Sequence, residues 1–181
     1  MTRAADVDAN WLAGKLNDAA VVPVDLRTKD KYDAGHIPGA VLLASAAFNS
    51  KTGDVTDLAP VAQVAEALGK IGLKPTDTIV FYDDSGSLSA TRALWSLDVY
   101  GHKDSRVLNG TWTSWDAAKK PATKDVPTRA ATQYAFSGAP NTSIVVTMDQ
   151  MVKAVGDPSK IVCDSRTADE YTGRDLRAPA T

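Results

Sequence analysis

The chain has 181 residues, which is enough for one domain and a part of a second. A hydrophobic content of 44% and a charged content of 23% are typical of a globular protein with an apolar core. The formal net charge of −2 favours neither nucleic acid nor an anionic membrane as a partner, and no apolar run approaches the roughly 18 residues of a membrane-spanning helix.

The first third of the chain alternates short helical and strand patterns. Asp6 or Asp8 is in place to cap a first helix, whose apolar and polar residues alternate between two faces. Pro23 lies inside the apolar run at 21–24, so we expect this strand at an edge of the sheet or at its entry. The pattern next predicts a helix, a strand and a polar loop, at residues 28–32, 40–43 and 45–57.

The middle of the chain is organised around one strand, one loop and one helix. An amphipathic helix at 61–68 precedes the apolar strand 79–82, which a polar, glycine-containing turn at 83–87 joins to a helix beginning near Leu88. Such a helix N-terminus aims several backbone N–H groups at one point and makes an anion site. With a further strand at 105–108, this alternation predicts an α/β domain with a mostly parallel sheet, in which 79–82 is central.

The composition changes after the first domain. From Lys119 to Asn141 prolines, threonines and alanines occur without periodicity, which indicates a linker or a long surface connection. The regular pattern then returns, with a helix predicted within 145–155 and a strand at 161–163.

The returning pattern repeats an earlier one. Asp25-x-Arg27-x4-Tyr32 reappears as Asp164-x-Arg166-x4-Tyr171, again after an apolar strand and before a helix-forming run. The match predicts a duplicated domain of which this chain holds one whole copy and the start of another. One or two strands cannot bury their faces alone, so we expect the second copy to be completed by further polypeptide, in the same or a separate chain, or by a neighbouring molecule.

These motifs resemble the rhodanese-like sulfurtransferases, in particular the tandem-domain thiosulfate or 3-mercaptopyruvate sulfurtransferases. The segments that carry the resemblance are Asp25–Arg27 with Tyr32, the Gly-His-Ile-Pro-Gly-Ala run at 35–40, the loop and helix with Arg92 and Trp95, Gly101-His102, the run at 107–110 and Trp115. The resemblance implies a central five-stranded, mostly parallel sheet flanked by helices over residues 5–120. A linker at 121–142 and the first strand and helix of a second domain at 143–181 would follow.

The resemblance also implies a chemistry. In this family a loop cysteine of the C-terminal domain takes a sulfane sulfur from an anionic donor, thiosulfate or 3-mercaptopyruvate, and passes the persulfide sulfur to a thiol or cyanide-like acceptor, without a cofactor. Asp83 occupies the cysteine position of the first domain, so we expect no catalytic residue on this chain and the working cysteine beyond residue 181. The complete protein would be the enzyme, and the chain alone would be inactive. The alternative is a catalytically silent rhodanese-like binding or regulatory module.

Two arginine–aspartate pairs are the candidate polar sites. The resemblance places Arg166 near the substrate pocket, where its guanidinium would bind a thiosulfate or carboxylate oxygen. An ion pair with Asp164 is the alternative role for Arg166. Asp25 and Arg27 are interpreted as structural residues that fix a strand-to-helix turn.

His36 and Gly39 belong to the same structural motif, in the turn before the second predicted strand. The two histidines, His36 and His102, have no zinc-ligand spacing, so no metal is expected. The one cysteine, Cys163, lies in an apolar run and is expected to be buried and structural. The loop serines 85, 87 and 89 are expected to cap the following helix. We expect a cytoplasmic protein, or a periplasmic one if a signal peptide has been removed.

Overall fold

A computed structural model of the chain describes residues 5–52 and 55–175. The chain divides into two compact units, Met1–Asn141 and Thr142–Thr181. The first unit carries the sheet, and the second consists of short helices and turns in its described part.

The strands of the described residues are β1 (Asp6–Val7), β2 (Val21–Asp25), β3 (Val41–Leu42), β4 (Asn49–Thr52), β5 (Val55–Leu58), β6 (Thr78–Tyr82) and β7 (Ser105–Leu108). Five of them form one sheet in the order β1-β7-β6-β2-β3, and every neighbouring pair in it is parallel. The predicted α/β fold with a five-stranded parallel sheet is therefore confirmed.

The helices are α1 (Ala9–Ala13), α2 (Lys29–Ala34), α3 (Val61–Lys70), α4 (Leu88–Tyr100), α5 (Thr111–Ala117), α6 (Met148–Ala154) and α7 (Ala168–Tyr171). Two short 3₁₀ helices lie at Ser45–Phe48 and Thr142–Ile144. Asp8 is the cap of α1, because its carboxylate accepts a hydrogen bond from the Trp11 N–H at 2.7 Å. None of the described helices is long and apolar enough to cross a lipid bilayer.

The predicted central strand, β6, lies at the middle of the sheet and is buried from Ile79 to Tyr82. It pairs with β2 along the full length of both strands, from Val21 opposite Thr78 to Asp25 opposite Tyr82. Parallel strands in this register end at the same edge of the sheet. The register therefore brings the side chains that follow β2 and β6 together at one edge.

Two predictions for this unit were wrong. Pro23 does not mark an edge strand, since β2 lies between β6 and β3. The pairing of β2 with β3 begins at Val24, so the missing N–H of Pro23 removes no hydrogen bond between these two strands. Residues 45–57 are not simply a loop, because they contain a 3₁₀ helix and an antiparallel hairpin of β4 and β5. Cross-strand pairing compensates there for a sequence with little apolar alternation.

The segment from 119 to 141 has no helix and no strand, yet it packs against the first unit. Thr132 donates its N–H to the Gly69 carbonyl at 2.9 Å, and Arg129 pairs with Asp77 at 3.1 Å. A Cβ on Gly69 would lie 2.5 Å from the Thr132 carbonyl oxygen, so the close approach requires a glycine in α3. This connection is thus a packed strap on the first unit, and the domain limits at 120 and 142 stay predictions.

The second unit contains the predicted helix at 145–155 in shortened form, as α6 with a capping box of Thr147 and Gln150. The strand predicted at 161–163 is absent from the structure, and Ile161 is 97% exposed. A strand is defined by hydrogen bonds to a neighbour, and the described part of this unit contains no strand to pair with.

Candidate functional site

The loop after β6 is closed by the side chain of Asp83, which is 1% exposed. Its carboxylate accepts four backbone N–H groups: Oδ1 from Ser85 and Ser87 at 3.1 and 3.0 Å, and Oδ2 from Ser89 and Ala90 at 2.8 and 3.0 Å. The loop does have the anion-binding geometry predicted for a strand–loop–helix junction. The anion that it holds is its own aspartate.

The expectation that serines cap α4 was wrong. Ser87 occupies the N-cap position in a left-handed conformation, with φ of 69°, and its hydroxyl makes no capping hydrogen bond. The N–H groups of Ser89 and Ala90, in the first turn of the helix, bond to Asp83 instead. An aspartate placed five residues before the helix satisfies these donors and also complements the helix dipole.

Asp84, the second carboxylate of the loop, points to a different partner. Its Oδ2 lies 2.5 Å from the Lys31 ammonium, and the two side chains are 26% and 51% exposed. This ion pair joins the loop after β6 to helix α2. Sequence reasoning missed it because the two residues are 53 positions apart.

Asp25, Arg27 and Tyr82 form a buried polar cluster at the same edge of the sheet. Arg27 Nη2 lies 2.7 Å from Asp25 Oδ2, and the Tyr82 hydroxyl donates to the same oxygen at 2.7 Å. Arg27 also donates to the Gly35 carbonyl at 2.8 Å, and the ring of Trp112 lies 4.1 Å from its guanidinium carbon. Its side chain is only 3% exposed, so this arginine is fully engaged by the protein.

The charges of this cluster affect each other's protonation. Burial alone lowers the pKa of Arg27, but the hydrogen bonds and the charge of Asp25 outweigh it and raise the pKa. Burial, followed by the negative charge of Asp25, raises the pKa of the Tyr82 phenol far above its usual value of about 10. The cluster is therefore an arginine–aspartate ion pair beside a phenol that stays neutral near neutral pH.

His36 and Gly39 lie in the turn between α2 and β3. The imidazole is fully buried and stacks on the Tyr32 ring at 3.7 Å. Its nitrogens lie 2.8 Å from the Tyr32 carbonyl oxygen and 3.1 Å from that of Asp125. Gly39 has φ of 79°, a conformation that favours glycine. His36 thus binds backbone carbonyls around the turn, and Gly39 supplies the conformation that the turn requires.

The second unit repeats the first cluster at Asp164 and Arg166. The Arg166 N–H donates to Asp164 Oδ1 at 3.0 Å, and Arg166 Nη2 lies 2.6 Å from Oδ2; the matching distances for Asp25 and Arg27 are 2.9 and 2.7 Å. Hydrogen bonds from Arg166 lower the pKa of the Asp164 carboxyl to about 2. The internal repeat therefore extends from the sequence to the local geometry.

The environment of the second pair differs from that of the first. The Arg166 side chain is 56% exposed, against 3% for Arg27. Cys163, expected to be buried, is exposed, because the apolar run around it forms no strand in a sheet. The structure therefore shows Arg166 in its ion pair with Asp164 and still accessible from one side.

The described residues hold few groups able to carry out chemistry. No group of three or more His, Cys, Asp or Glu side chains among them is arranged to hold a metal ion. The loop after β6 contains no thiol, and the Asp83 carboxylate occupies four backbone N–H groups of the loop and the following helix. The sequence contained a signal for this, since an aspartate followed by a serine- and glycine-rich turn is typical of a side chain that bonds to its own loop.

Comparison with known proteins gives a consistent result. The family described as "Rhodanese-like domain" matches residues 8–118. The chain is 32% identical over 177 residues to SseA of Mycobacterium tuberculosis, covering 96% of this chain and 58% of the relative. It is 31% identical over 170 residues to the thiosulfate sulfurtransferase of Azotobacter vinelandii, covering 92% and 61%. The chain thus spans about three-fifths of the length of these relatives.

Among solved structures, the chain is similar to SseA from Escherichia coli, a protein described with the 3-mercaptopyruvate sulfotransferases. The TM-score is 0.82 at 23% identity, and the match covers 98% of this chain and 71% of the other. Identity at that level supports the fold alone.

Proposed function

Because the chain belongs to the rhodanese-like domain family, we propose that it forms the N-terminal, non-catalytic part of a two-domain sulfurtransferase. The complete enzyme would move sulfane sulfur from thiosulfate or 3-mercaptopyruvate to a thiol or cyanide-like acceptor. The persulfide would form on a cysteine located beyond residue 181, in the remainder of the second domain. That remainder, as further polypeptide or a separate chain, would be its principal partner.

The observation that carries this proposal is the closed loop around Asp83. A persulfide-forming loop needs a thiolate and free backbone N–H groups to stabilise the anionic sulfur. Here a carboxylate stands in place of the thiol and takes four of those N–H groups. A carboxylate cannot accept a sulfane sulfur, so the first unit supplies architecture rather than chemistry.

Arg166 is the residue of this chain that we propose to contact the substrate. Its guanidinium is held by Asp164, and the resemblance to the family would place it beside the substrate pocket, where it would bind an oxygen of an anionic sulfur donor. Asp25, Arg27, His36, Gly39 and Asp164 would then be structural residues of the two related turns. The second candidate function, a silent binding module, is favoured by the same closed loop if the complete protein also lacks a loop cysteine.

The test is a cyanolysis assay with thiosulfate and with 3-mercaptopyruvate. We expect no thiocyanate above the blank from the 181-residue chain, and turnover from the full-length product of its gene. The Cys163→Ser variant is the matched control, since Cys163 is the one thiol of this sequence. Turnover by the chain alone that survives Cys163→Ser would contradict the proposal. An inactive full-length product would favour the binding module.

A further inference from the structure

A pocket of about 380 Å³ lies beside the first turns of α4. Among the described residues, the side chains that line it are Ser45, Asn49, Leu88, Ser89 and Arg92. Four of them are polar, one of these is a cation, and none is a carboxylate. The pocket thus has the composition of a site for a small anion.

Arg92 has an unsatisfied donor at this pocket. Its Nε donates to Asn49 Oδ1 at 3.0 Å, and its guanidinium carbon lies 4.8 Å from the centre of the Trp95 ring. Its Nη2 is buried and has no hydrogen-bond partner. A buried charged donor without an acceptor destabilises the fold. A ligand that brings an acceptor into the pocket would form the hydrogen bond that Nη2 lacks.

Arg106 provides a direct comparison within the same unit. It too lies 4.8 Å from a tryptophan ring, that of Trp11, but its Nε and Nη2 donate to Asp104 at 2.9 and 3.2 Å. Every other arginine of the described residues also has an aspartate partner, in the pairs Arg27–Asp25, Arg129–Asp77, Arg166–Asp164 and Arg174–Asp169. Among the arginines within residues 5–52 and 55–175, Arg92 is therefore the one without a carboxylate as ion-pair partner.

The amide that orients Arg92 is held rigidly. The Asn49 carbonyl accepts a hydrogen bond from the Gln63 side chain at 3.2 Å. The preceding residue, Phe48, is buried and packs edge-on against Phe81 at 5.6 Å. The core therefore fixes Asn49, and Asn49 fixes one edge of the guanidinium while leaving the others for a ligand.

We propose that this pocket binds a small oxyanion, with the Arg92 guanidinium as its cationic ligand and the hydroxyls of Ser45 and Ser89 as neutral donors. The guanidinium fork matches two oxygens of a sulfate, phosphate, thiosulfate or carboxylate group. The site adjoins the Asp83 loop, because the Ser89 N–H donates to the Asp83 carboxylate, and its occupancy requires no sulfur transfer by this chain.

The experiment is an anion titration of the 181-residue chain, monitored by ¹⁵N NMR. The ionic strength is kept constant, with chloride as the balancing ion. The probes are thiosulfate, sulfate, phosphate and acetate, each tested alone. We expect saturable shifts of the Ser89 amide and the Arg92 Nε signal with at least one of them. Stronger binding of thiosulfate than of sulfate would identify a sulfur-donor site, and comparable binding of all the probes a general oxyanion site; either result supports the proposal.

Three variants make the test specific. Arg92→Gln should weaken binding at least about tenfold, and Arg106→Gln should leave it unchanged. Asn49→Asp should also abolish binding, because it places a carboxylate on Arg92, and it should raise the melting temperature; it keeps the test decisive if Arg92→Gln does not fold. The absence of saturable shifts with all four anions, or full binding by Asn49→Asp, would overturn the proposal.

Discussion

The Asp83→Asn substitution tests whether this side chain is the ligand of its own loop. An asparagine keeps one oxygen for two of the four N–H groups, but it turns an NH₂ donor toward the other two. Two charge-assisted hydrogen bonds are lost, at about 1.5 kcal/mol or more each, so we expect the first unit to be destabilised by about 3 kcal/mol. The matched control is Asp84→Asn, which removes a partly exposed ion pair with Lys31 and should cost about 0.5 kcal/mol.

Urea unfolding followed by tryptophan fluorescence is the appropriate assay. All four tryptophans lie between residues 11 and 115, so the signal reports the first unit and not the second. With a slope of about 2 kcal/mol per molar urea, the midpoint should fall by about 1.5 M for Asp83→Asn and by about 0.25 M for Asp84→Asn. Equal shifts for the two variants would refute the view that the Asp83 carboxylate holds the loop closed.

Three further results are expected. Ser87→Gly should stabilise the first unit by about 1 kcal/mol in the same assay, because Ser87 has a φ of 69°; a lower midpoint would contradict this. Gly69→Ala should destabilise it by more than about 1 kcal/mol despite the better helix propensity of alanine, since the new Cβ would lie 2.5 Å from the Thr132 carbonyl oxygen; a stabilised variant would mean that the strap does not pack there. In ¹³C NMR, Asp164 should titrate with a pKa of about 2, so its ion pair with Arg166 is present above the unfolded value of about 3.9 and is lost as the pH falls through 2; Arg166→Gln should return the pKa toward 3.9.

The features that the sequence predicted correctly are those encoded locally. The apolar run of β6, the cap of α1 and the glycine after α2 each depend on neighbouring residues, and each is found near its predicted position. The hairpin of β4 and β5 escaped prediction because its stability comes from cross-strand pairing rather than from an apolar alternation within either strand.

The long-range contacts escaped prediction for a related reason. Nothing near Lys31 in the sequence indicates Asp84, and nothing near Gly69 indicates that Thr132 will lie against it. Gly69 is part of α3, and its missing side chain makes room for the strap. Such partners can be identified only after the topology is known.

The two copies of the Asp-x-Arg turn share one local geometry and differ in their surroundings. Both turns hold the arginine with the same four hydrogen bonds to the aspartate, at distances that agree within about 0.1 Å. In the first unit Arg27 Nη2 also donates to the Gly35 carbonyl and Trp112 covers the face of the guanidinium, so only 3% of the side chain is exposed. In the second unit Arg166 keeps more than half of its side chain exposed. The motif therefore fixes the orientation of the guanidinium in both units, and the residues packed around it set how much of that guanidinium stays exposed.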